Sequence, residues 1–181
     1  MIIGITGGSG TGKSSLANLL ELEVINADCV YHKIFRENNE LKNELAERFG
    51  ACGRKELADI VFADRAKLEE LNLVTFKYVL SAIERMILGK SSIVIDAPLL
   101  FESGLGEKCD FTVAVLAEKE LRIKRIMDRD NLSRIKAEMR INAQKPDAYY
   151  ITRADCLVYN NDGDLMEAAR KLKKRIARLR R

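Results

Sequence analysis

Residues 1–20, MIIGITGGSGTGKSSLANLL, constrain the fold more than any other stretch of this chain. They begin with a short apolar run rich in β-branched side chains, such as Ile3 and Ile5, and then break into a glycine-rich segment. The last residues of the stretch, with Leu, Ala and Asn, are typical of a helix. The order predicts a strand, a loop and a helix.

The loop fits the pattern G-x-x-x-x-G-K-[ST] at Gly7, Gly12, Lys13 and Ser14, with every spacing correct. A polyphosphate needs several backbone N–H groups that converge on one anion, and only a loop with little side-chain bulk can wrap that closely. The start of the following helix adds its dipole and its unpaired amides. Lys13 is expected at the β and γ phosphates of the nucleotide, and the Ser14 hydroxyl is expected to bind Mg²⁺. A glycine-rich turn that binds nothing is the alternative, and the strand-to-helix context argues against it. The residues expected to contact the nucleotide are Gly8, Ser9, Gly10, Thr11, Gly12, Lys13, Ser14 and Ser15.

The composition is that of an ordinary globular protein, with 47% hydrophobic and 32% charged residues in a chain of 181. This length predicts one domain, or one domain with a subordinate lobe. Four cysteines lie far apart, and His32 is the only histidine, so we expect reduced thiols and no Cys/His metal site. No leader precedes the first strand and no apolar run approaches the roughly 20 residues of a membrane span. We therefore expect a cytoplasmic protein.

The formal net charge of +4 comes from the C-terminal tail. Residues 170–181 contain eight basic side chains and no acidic one, so the rest of the chain is net acidic. The tail continues an apolar stripe with alternating spacings of four and three, which predicts an amphipathic helix packed on the body. Its cations favour the negative end of the helix dipole. We therefore expect the basic residues to form a solvated face of this helix, with nucleic-acid or membrane-surface contact as the alternative. A monomer is the favoured oligomeric state. The stripe consists of Leu165, Ala169, Leu172, Ile176 and Leu179.

Apolar runs predict five strands, which alternate with helical patterns. Such alternation predicts a parallel, doubly wound sheet in an α/β fold, and ligands bind such sheets beyond the carboxyl ends of their strands. The predicted strands are residues 2–6, 23–27, 92–96, 111–116 and 156–159. A first helical segment is predicted from about residue 12. Further helical segments are predicted at 28–88, 118–128, 133–144 and in the tail.

Carboxylates follow the second and third predicted strands, at Asp28 and Asp96. Asp28 could accept a proton from an attacking hydroxyl, as phosphoryl transfer by a kinase requires. It could equally be the N-cap of the next helix, a position that Asp favours. Asp96 could contact a metal ion through water or simply fix its loop.

Arginines are spaced to share a helix face at Arg122, Arg125 and Arg129, and Arg140 follows a turn-prone break. Two helices joined by a short turn and rich in arginine suggest a lid that closes over a transferring phosphoryl group. The alternative is a surface helix with salt bridges. That alternative is favoured for Arg122 and stays open for Arg129 and Arg140.

Six segments in this order resemble the dephospho-coenzyme A kinase family along essentially the whole chain: GGSGTGKS, VINADCVYH, GRKELADIVF, VIDAPLLFESGL, RIMDRD and RINAQ. The resemblance implies a P-loop kinase that transfers the ATP γ-phosphoryl group to the ribose 3′-hydroxyl of dephospho-CoA, the last step of coenzyme A synthesis. It also implies a nucleotide-binding core of residues 1–28, 91–119 and 151–181, a helical acceptor-binding lobe of residues 29–90 and a helical lid of residues 120–150.

The resemblance also assigns roles. Asp28 aligns with the second acid of the family's D-A-D pattern and becomes the catalytic base, and His32 becomes an acceptor contact. Arg140 matches the arginine of the R-I-x-x-Q element at the ATP phosphates, where Arg129 and the catalytic Lys13 are also expected. Asn160 is expected near the adenine. The D-x-P-L-L-F-E signature on the acceptor side is matched by Asp96, Pro98, Leu99, Leu100, Phe101 and Glu102.

The chain departs from the family pattern at three places. Asn26 replaces the first acid of D-A-D, Phe76 and Lys77 stand where the family usually has His-Pro, and the segment between Leu20 and Val24 is short. These departures affect acceptor binding more than the chemistry.

Two other functions are compatible with the phosphate loop. A nucleoside or nucleotide kinase of the same architecture would share the loop and the arginines but not the D-A-P-L-L-F-E segment. A GTP-dependent switch protein would need the strings N-K-x-D and D-x-x-G, which this chain lacks.

Overall fold

Five strands form one all-parallel sheet within residues 1–61, 64–161 and 165–179, which the computed structural model describes. Their order across the sheet is β2-β3-β1-β4-β5, so the first strand lies in the middle. Strands β1, β3 and β4 are almost wholly buried, as expected where helices cover both faces. The strands are β1 Ile2–Thr6, β2 Glu23–Asn26, β3 Ile93–Asp96, β4 Phe111–Leu116 and β5 Cys156–Tyr159.

The predicted helical stretch 28–88 divides into four helices. Asn38 ends one helix and caps the next by accepting a hydrogen bond from the Leu41 amide (2.9 Å), and Asp64 caps the long helix that follows. A short helix at 147–151 was missed, since one turn and a half carries no clear 3.6-residue period. The helices are α1 Lys13–Leu19, α2 Ala27–Glu37, α3 Asn39–Phe49, α4 Arg54–Val61, α5 Arg65–Ile87, α6 Lys119–Asp130, α7 Arg134–Asn142, α8 Asp147–Ile151 and α9 Leu165–Leu179.

Helices cover the sheet on both faces. On one face, α1 and α9 pack on β1 and β4, with Leu16 and Leu172 in the same cluster as Ile3 and Val113. On the other face, α2 and α5 pack on β2 and β3. Helices α2–α5 also share a separate apolar cluster that includes Leu45. This second cluster makes them a unit with a core of its own beside the sheet.

The apolar stripe of the tail lies in the core over most of its length. Ala169, Leu172 and Ile176 are at most 5% exposed, which confirms the predicted amphipathic helix. Leu179 is 53% exposed, so its inclusion in the buried stripe was wrong. Residues 180 and 181 of the predicted basic tail lie outside the described residues.

The parallel arrangement brings the predicted site residues to one edge of the sheet. Ile5 of β1 and Asn26 of β2 both pair in register with Asp96 of β3, and the glycine-rich loop follows β1 directly. Within the described ranges, none of the helices combines the length and apolar character needed to cross a bilayer.

Candidate active site

The glycine-rich loop between β1 and α1 has the backbone that a phosphate cradle requires. Gly7 (φ 136°) and Gly12 (φ 95°) adopt left-handed conformations that side chains rarely tolerate. A Cβ at Gly7 would lie 2.2 Å from the Val115 carbonyl oxygen, so neighbouring backbone also excludes a side chain there. The Thr11 hydroxyl closes the loop by donating to the Gly8 carbonyl (2.9 Å). The loop is therefore held in shape by its own hydrogen bonds.

Lys13 begins α1 and reaches back over the loop. Its ammonium donates to the Gly8 carbonyl at 3.2 Å. Burial lowers the pKa of Lys13 below its usual value, although the negative charges of Asp96 and Asp28 act in the opposite direction. Both predicted carboxylates therefore lie within electrostatic range of this lysine.

Asp96 at the end of β3 faces the phosphate loop. It is 2% exposed, and its Oδ2 accepts hydrogen bonds from the Ser14 hydroxyl (2.5 Å) and the Asn26 amide (3.2 Å). Its Oδ1 is buried and has no hydrogen-bond partner among the described residues. A hydroxyl beside a carboxylate with an unused oxygen is the donor set that Mg²⁺ prefers, so these residues fit the ion. No cluster of three or more His, Cys, Asp or Glu residues in the described ranges offers another metal site.

Asp28 lies in the first turn of α2 but does not cap it. The N-cap is Asn26, whose Oδ1 accepts from the Cys29 amide (2.9 Å), so the N-cap interpretation of Asp28 was wrong. Asp28 is solvent-exposed, yet partial desolvation raises its pKa above the usual value. Lys13 opposes this rise, Asp96 adds to it, and His32 one turn later opposes it. The Asp28 carboxylate is therefore not used to cap the helix.

The segment after β3 divides its side chains between the cleft and the core. Pro98, Leu99 and Glu102 line the large cleft described below. Leu100 is wholly buried in the core against Gly4, so its predicted contact with a substrate was wrong. Phe101 is half-buried and packs edge-on against Tyr149 of α8, with the ring centroids 6.3 Å apart.

Glu102 is unusual because both carboxylate oxygens are buried without a hydrogen-bond partner among the described residues. Burial raises its pKa, while an interaction with its own backbone amide and the charges of Lys145 and Arg153 lower it.

Arg122 contradicts the favoured interpretation of a solvated surface residue. It is 5% exposed, and its guanidinium donates to the Ser9 carbonyl (3.0 Å), the Gln144 side chain (2.9 Å) and Asp147 (3.4 Å). The Gln144 side chain also accepts from the Ser9 amide (2.9 Å). Because the face of α6 that carries Arg122 packs onto the loop instead of facing solvent, this arginine braces the phosphate loop against the residues that flank α7.

Arg125 and Asn160 support the same loop from another side. Arg125 donates to the Gly10 carbonyl (3.2 Å) and to Asn160 Oδ1 (3.4 Å). Asn160 follows β5, is 7% exposed and donates to the Thr11 carbonyl (2.7 Å). A Cβ at Gly12 would lie only 2.3 Å from the Asn160 side-chain amide, so the lack of a side chain at Gly12 allows Asn160 to pack this close to the loop.

Arg129 and Arg140 both contact Asp130. Arg129 donates twice to its carboxylate (2.8 Å each), and Arg140 forms a short ion pair with it from α7. The hydrogen bond from Arg129, with Arg140 contributing less, lowers the pKa of Asp130 to about 2. The two predicted phosphate-binding arginines are therefore side by side on the neighbouring helices α6 and α7.

A cleft of about 780 Å³ runs from the phosphate loop at Gly7 to α5 and to the end of α7. Sequence reasoning missed two of the residues that line it, Asn72 and Gln144, whereas Phe76 had been noted as a departure that affects acceptor binding. Gln144 closes the R-I-x-x-Q element, so its place in that motif was an available signal. Nothing in the sequence indicated Asn72, since its position at the cleft depends on how α5 packs.

The fold and the site define a P-loop kinase: a parallel sheet of order 2-3-1-4-5, a Walker-type loop, carboxylates beside it and arginines on adjoining helices. The family model described as dephospho-CoA kinase matches residues 1–167. This chain therefore belongs to the dephospho-CoA kinase family.

Individual relatives agree with this assignment. A dephospho-CoA kinase of Fusobacterium nucleatum is 34% identical over 177 residues, which cover 89% of this chain and 90% of that protein. The crystal structure of TT1252 from Thermus thermophilus matches with a TM-score of 0.78 and 34% identity over 99% of this chain and 97% of that one. A dephospho-CoA kinase from Campylobacter jejuni matches with a TM-score of 0.68 and 28% identity over 99% and 98%.

Proposed function

We propose that this protein transfers the γ-phosphoryl group of ATP to the ribose 3′-hydroxyl of dephospho-CoA, with coenzyme A and ADP as products. The observation that carries the proposal is the convergence of Lys13, Asp28 and Asp96 at one edge of the sheet in a member of the dephospho-CoA kinase family. Phosphoryl transfer depends on positioning and on charge stabilisation, and these groups supply both.

Each group has a separate role. The amides of the phosphate loop and Lys13 hold the β and γ phosphates. Asp28 orients the acceptor hydroxyl and accepts its proton, and its raised pKa makes it a better base than an ordinary aspartate. Arg129 and Arg140 exchange Asp130 for the oxygens of the transferring group. Ser14 and Asp96 would hold Mg²⁺, which supplies positive charge at those oxygens.

The parts of the molecule follow from these roles. Residues 1–28, 91–119 and 151–181 form the nucleotide-binding core, residues 29–90 bind the acceptor, and residues 120–150 form the lid. The separate apolar cluster of α2–α5 supports the acceptor lobe as a unit. Four free thiols support a cytoplasmic location. We further propose a monomer that acts on small molecules, without nucleic-acid or membrane partners.

The test is an assay of purified protein with ATP and Mg²⁺ against dephospho-CoA, adenosine, AMP and UMP, in which ADP release is measured and the product is identified by mass. We expect phosphorylation of dephospho-CoA alone. A Lys13→Ala preparation provides the background rate of contaminating kinases. Activity on AMP without activity on dephospho-CoA would overturn the proposal in favour of a nucleotide kinase.

A further inference from the structure

A second cavity, which we call the Asp28 pocket, opens beside the proposed catalytic base. It has a volume of about 180 Å³ and lies between α2, α5 and the segment after β3. Asn72, Phe76, Pro98 and Leu99 line both this pocket and the large cleft, so the two cavities adjoin each other. The walls of the pocket are mainly apolar and include Tyr31, Phe76, Val79, Pro98, Leu99 and Leu105.

Among the polar side chains that line the Asp28 pocket, those of Asn72, Tyr31 and Asp28 make no hydrogen bond with any described residue, and Asn72 is the carboxamide among them. The Thr75 hydroxyl donates to the Leu71 carbonyl (2.8 Å), and the Ser103 hydroxyl donates to the Leu99 carbonyl (2.7 Å). The side-chain amide of Asn72 makes no hydrogen bond with any described residue, although the side chain is half-buried. Residues 72, 75, 76 and 79 share one face of α5, which directs this amide and the Phe76 ring into the same space.

These features select a planar, aromatic ligand with a polar edge. Aromatic side chains stack on the faces of nucleobases, and one carboxamide can donate to a ring nitrogen of adenine while it accepts from the exocyclic amino group. The pocket holds the volume of about six water molecules, which suits one heterocyclic base better than a base with its sugar and phosphates. Because Asp28 lines this pocket and is the proposed base, the reacting hydroxyl of a ligand bound there must lie near its carboxylate.

We propose that the Asp28 pocket binds the adenine ring of the acceptor and that Asn72 selects it through its exocyclic amino group. This assignment rests on the proposed function, in which the hydroxyl at Asp28 belongs to the ribose that carries this adenine. Phe76 and Tyr31 pack against the ring. The large cleft, which reaches the phosphate loop, then remains for the rest of the acceptor.

The test compares kcat/KM for dephospho-CoA with kcat/KM for its deamino analogue, in which hydrogen replaces the adenine amino group. We expect the unmodified enzyme to prefer dephospho-CoA by roughly 10-fold, because a site built for a hydrogen bond rejects a ligand that lacks it. Asn72→Leu keeps the side-chain volume but removes the amide. It should abolish the preference by lowering kcat/KM for dephospho-CoA roughly 10-fold more than kcat/KM for the analogue, which loses only the hydrogen bond to its ring nitrogen.

Two further variants separate base recognition from general damage. Asn43→Leu makes the same change on an exposed face of α3 and should keep the preference. Phe76→Leu stays apolar but loses the aromatic face, so kcat/KM for both acceptors should fall by roughly 10-fold while KM for ATP stays constant. The preference is a ratio measured on one preparation, so partial misfolding does not affect it.

The outcomes distinguish the two proposals. An unmodified enzyme that phosphorylates both acceptors equally well, or an Asn72→Leu enzyme that keeps the full preference, would overturn the pocket assignment and leave the proposed function intact. An unmodified enzyme that phosphorylates neither acceptor would overturn the proposed function, and the pocket assignment with it.

Discussion

Asp28 illustrates how little a single side chain reveals before its neighbours are known. An aspartate that opens a helix is an ordinary N-cap, and that interpretation was as good as the catalytic one until Asn26 was found to cap α2. The carboxylate of Asp28 is free for another use. Its raised pKa shows that desolvation by its surroundings outweighs the attraction of Lys13.

We expect Asp28→Asn to lower turnover by roughly 10²-fold or more, because the amide cannot accept the proton of the hydroxyl. ATP affinity should be unchanged. Stability at neutral pH should be equal or slightly higher: a carboxyl with a raised pKa destabilises the fold as pH rises from the ordinary Asp range through that raised pKa, and the amide removes this effect. Steady-state kinetics and thermal unfolding check the two expectations.

Asp59→Asn is the matched control, since it makes the same change at an exposed site on α4. An Asp28→Asn enzyme with lower stability and an unchanged rate per folded molecule would contradict the catalytic role, and Asp96 would become the next candidate base.

Helices α6 and α7 carry arginines at two places: Arg122 contacts the phosphate loop, and Arg129 of α6 lies beside Arg140 of α7. Asp130 at the end of α6 holds Arg129 and Arg140, whereas Arg122 at its beginning is fixed to the phosphate loop. Helix α6 therefore has a buried, anchored end and an exposed end at which its Arg129 lies beside Arg140 of α7. A lid that is hinged at the phosphate loop would need one fixed end and one exposed end of this kind.

Arg140→Ala should reduce turnover by roughly 10²-fold or raise KM for ATP, because a guanidinium placed on the transferring phosphoryl group is lost. Binding of dephospho-CoA to the nucleotide-free enzyme should hardly change, which calorimetric titration can measure. Asp130→Asn weakens the same ion pair but keeps the arginine, so it should retain most of the activity. Equal losses in both variants would mean that the pair is only structural.

Arg122→Ala should lower the free energy of unfolding by about 1–3 kcal/mol, because the Ser9 carbonyl and the Gln144 side chain lose a buried donor. Arg122→Lys should not restore it, since one ammonium cannot reach three acceptors in different directions. Urea unfolding provides the measurement. Arg134→Ala, which removes exposed ion pairs to Glu120 and Glu138, should cost less than about 1 kcal/mol. Similar losses for the two arginines would contradict the bracing role.

At the scale of the whole molecule, the C-terminal helix completes the core on one face of the sheet. α9 packs beside α1 on β1 and β4, so the last segment of the chain covers the first strand. The basic residues of the tail therefore accompany a structural helix, and the positive net charge of the chain says nothing by itself about a nucleic-acid partner.

Leu172→Ala should destabilise the protein by about 2–5 kcal/mol, since the buried side chain leaves a cavity between α9 and the sheet. Leu179→Ala makes the same change at a residue that is 53% exposed and should cost no more than about 0.5 kcal/mol. Chemical denaturation of both variants checks this. If the two variants were equally stable, α9 would not be part of the cooperative core.

The features that could be predicted from the sequence are those that depend on local order. Apolar runs located the five strands to within one residue, and the spacing of Gly7, Gly12, Lys13 and Ser14 defined the phosphate loop, because backbone conformation there depends on residues close in the chain. The parallel sheet followed from alternation, and the binding of ligands beyond the carboxyl ends of its strands predicted Asp28 and Asp96 beside that loop.

The neighbours that each side chain contacts became known from the packed structure. Leu100 and Glu102 lie two residues apart in one signature, yet one is in the core and the other lines the cleft. Arg122 and Arg129 share a helix, yet one is buried against Ser9 and the other is held by Asp130. These differences arise from contacts between residues distant in the chain, which local patterns do not encode. The partner of a charge and the burial of a carboxylate are properties of the packed molecule.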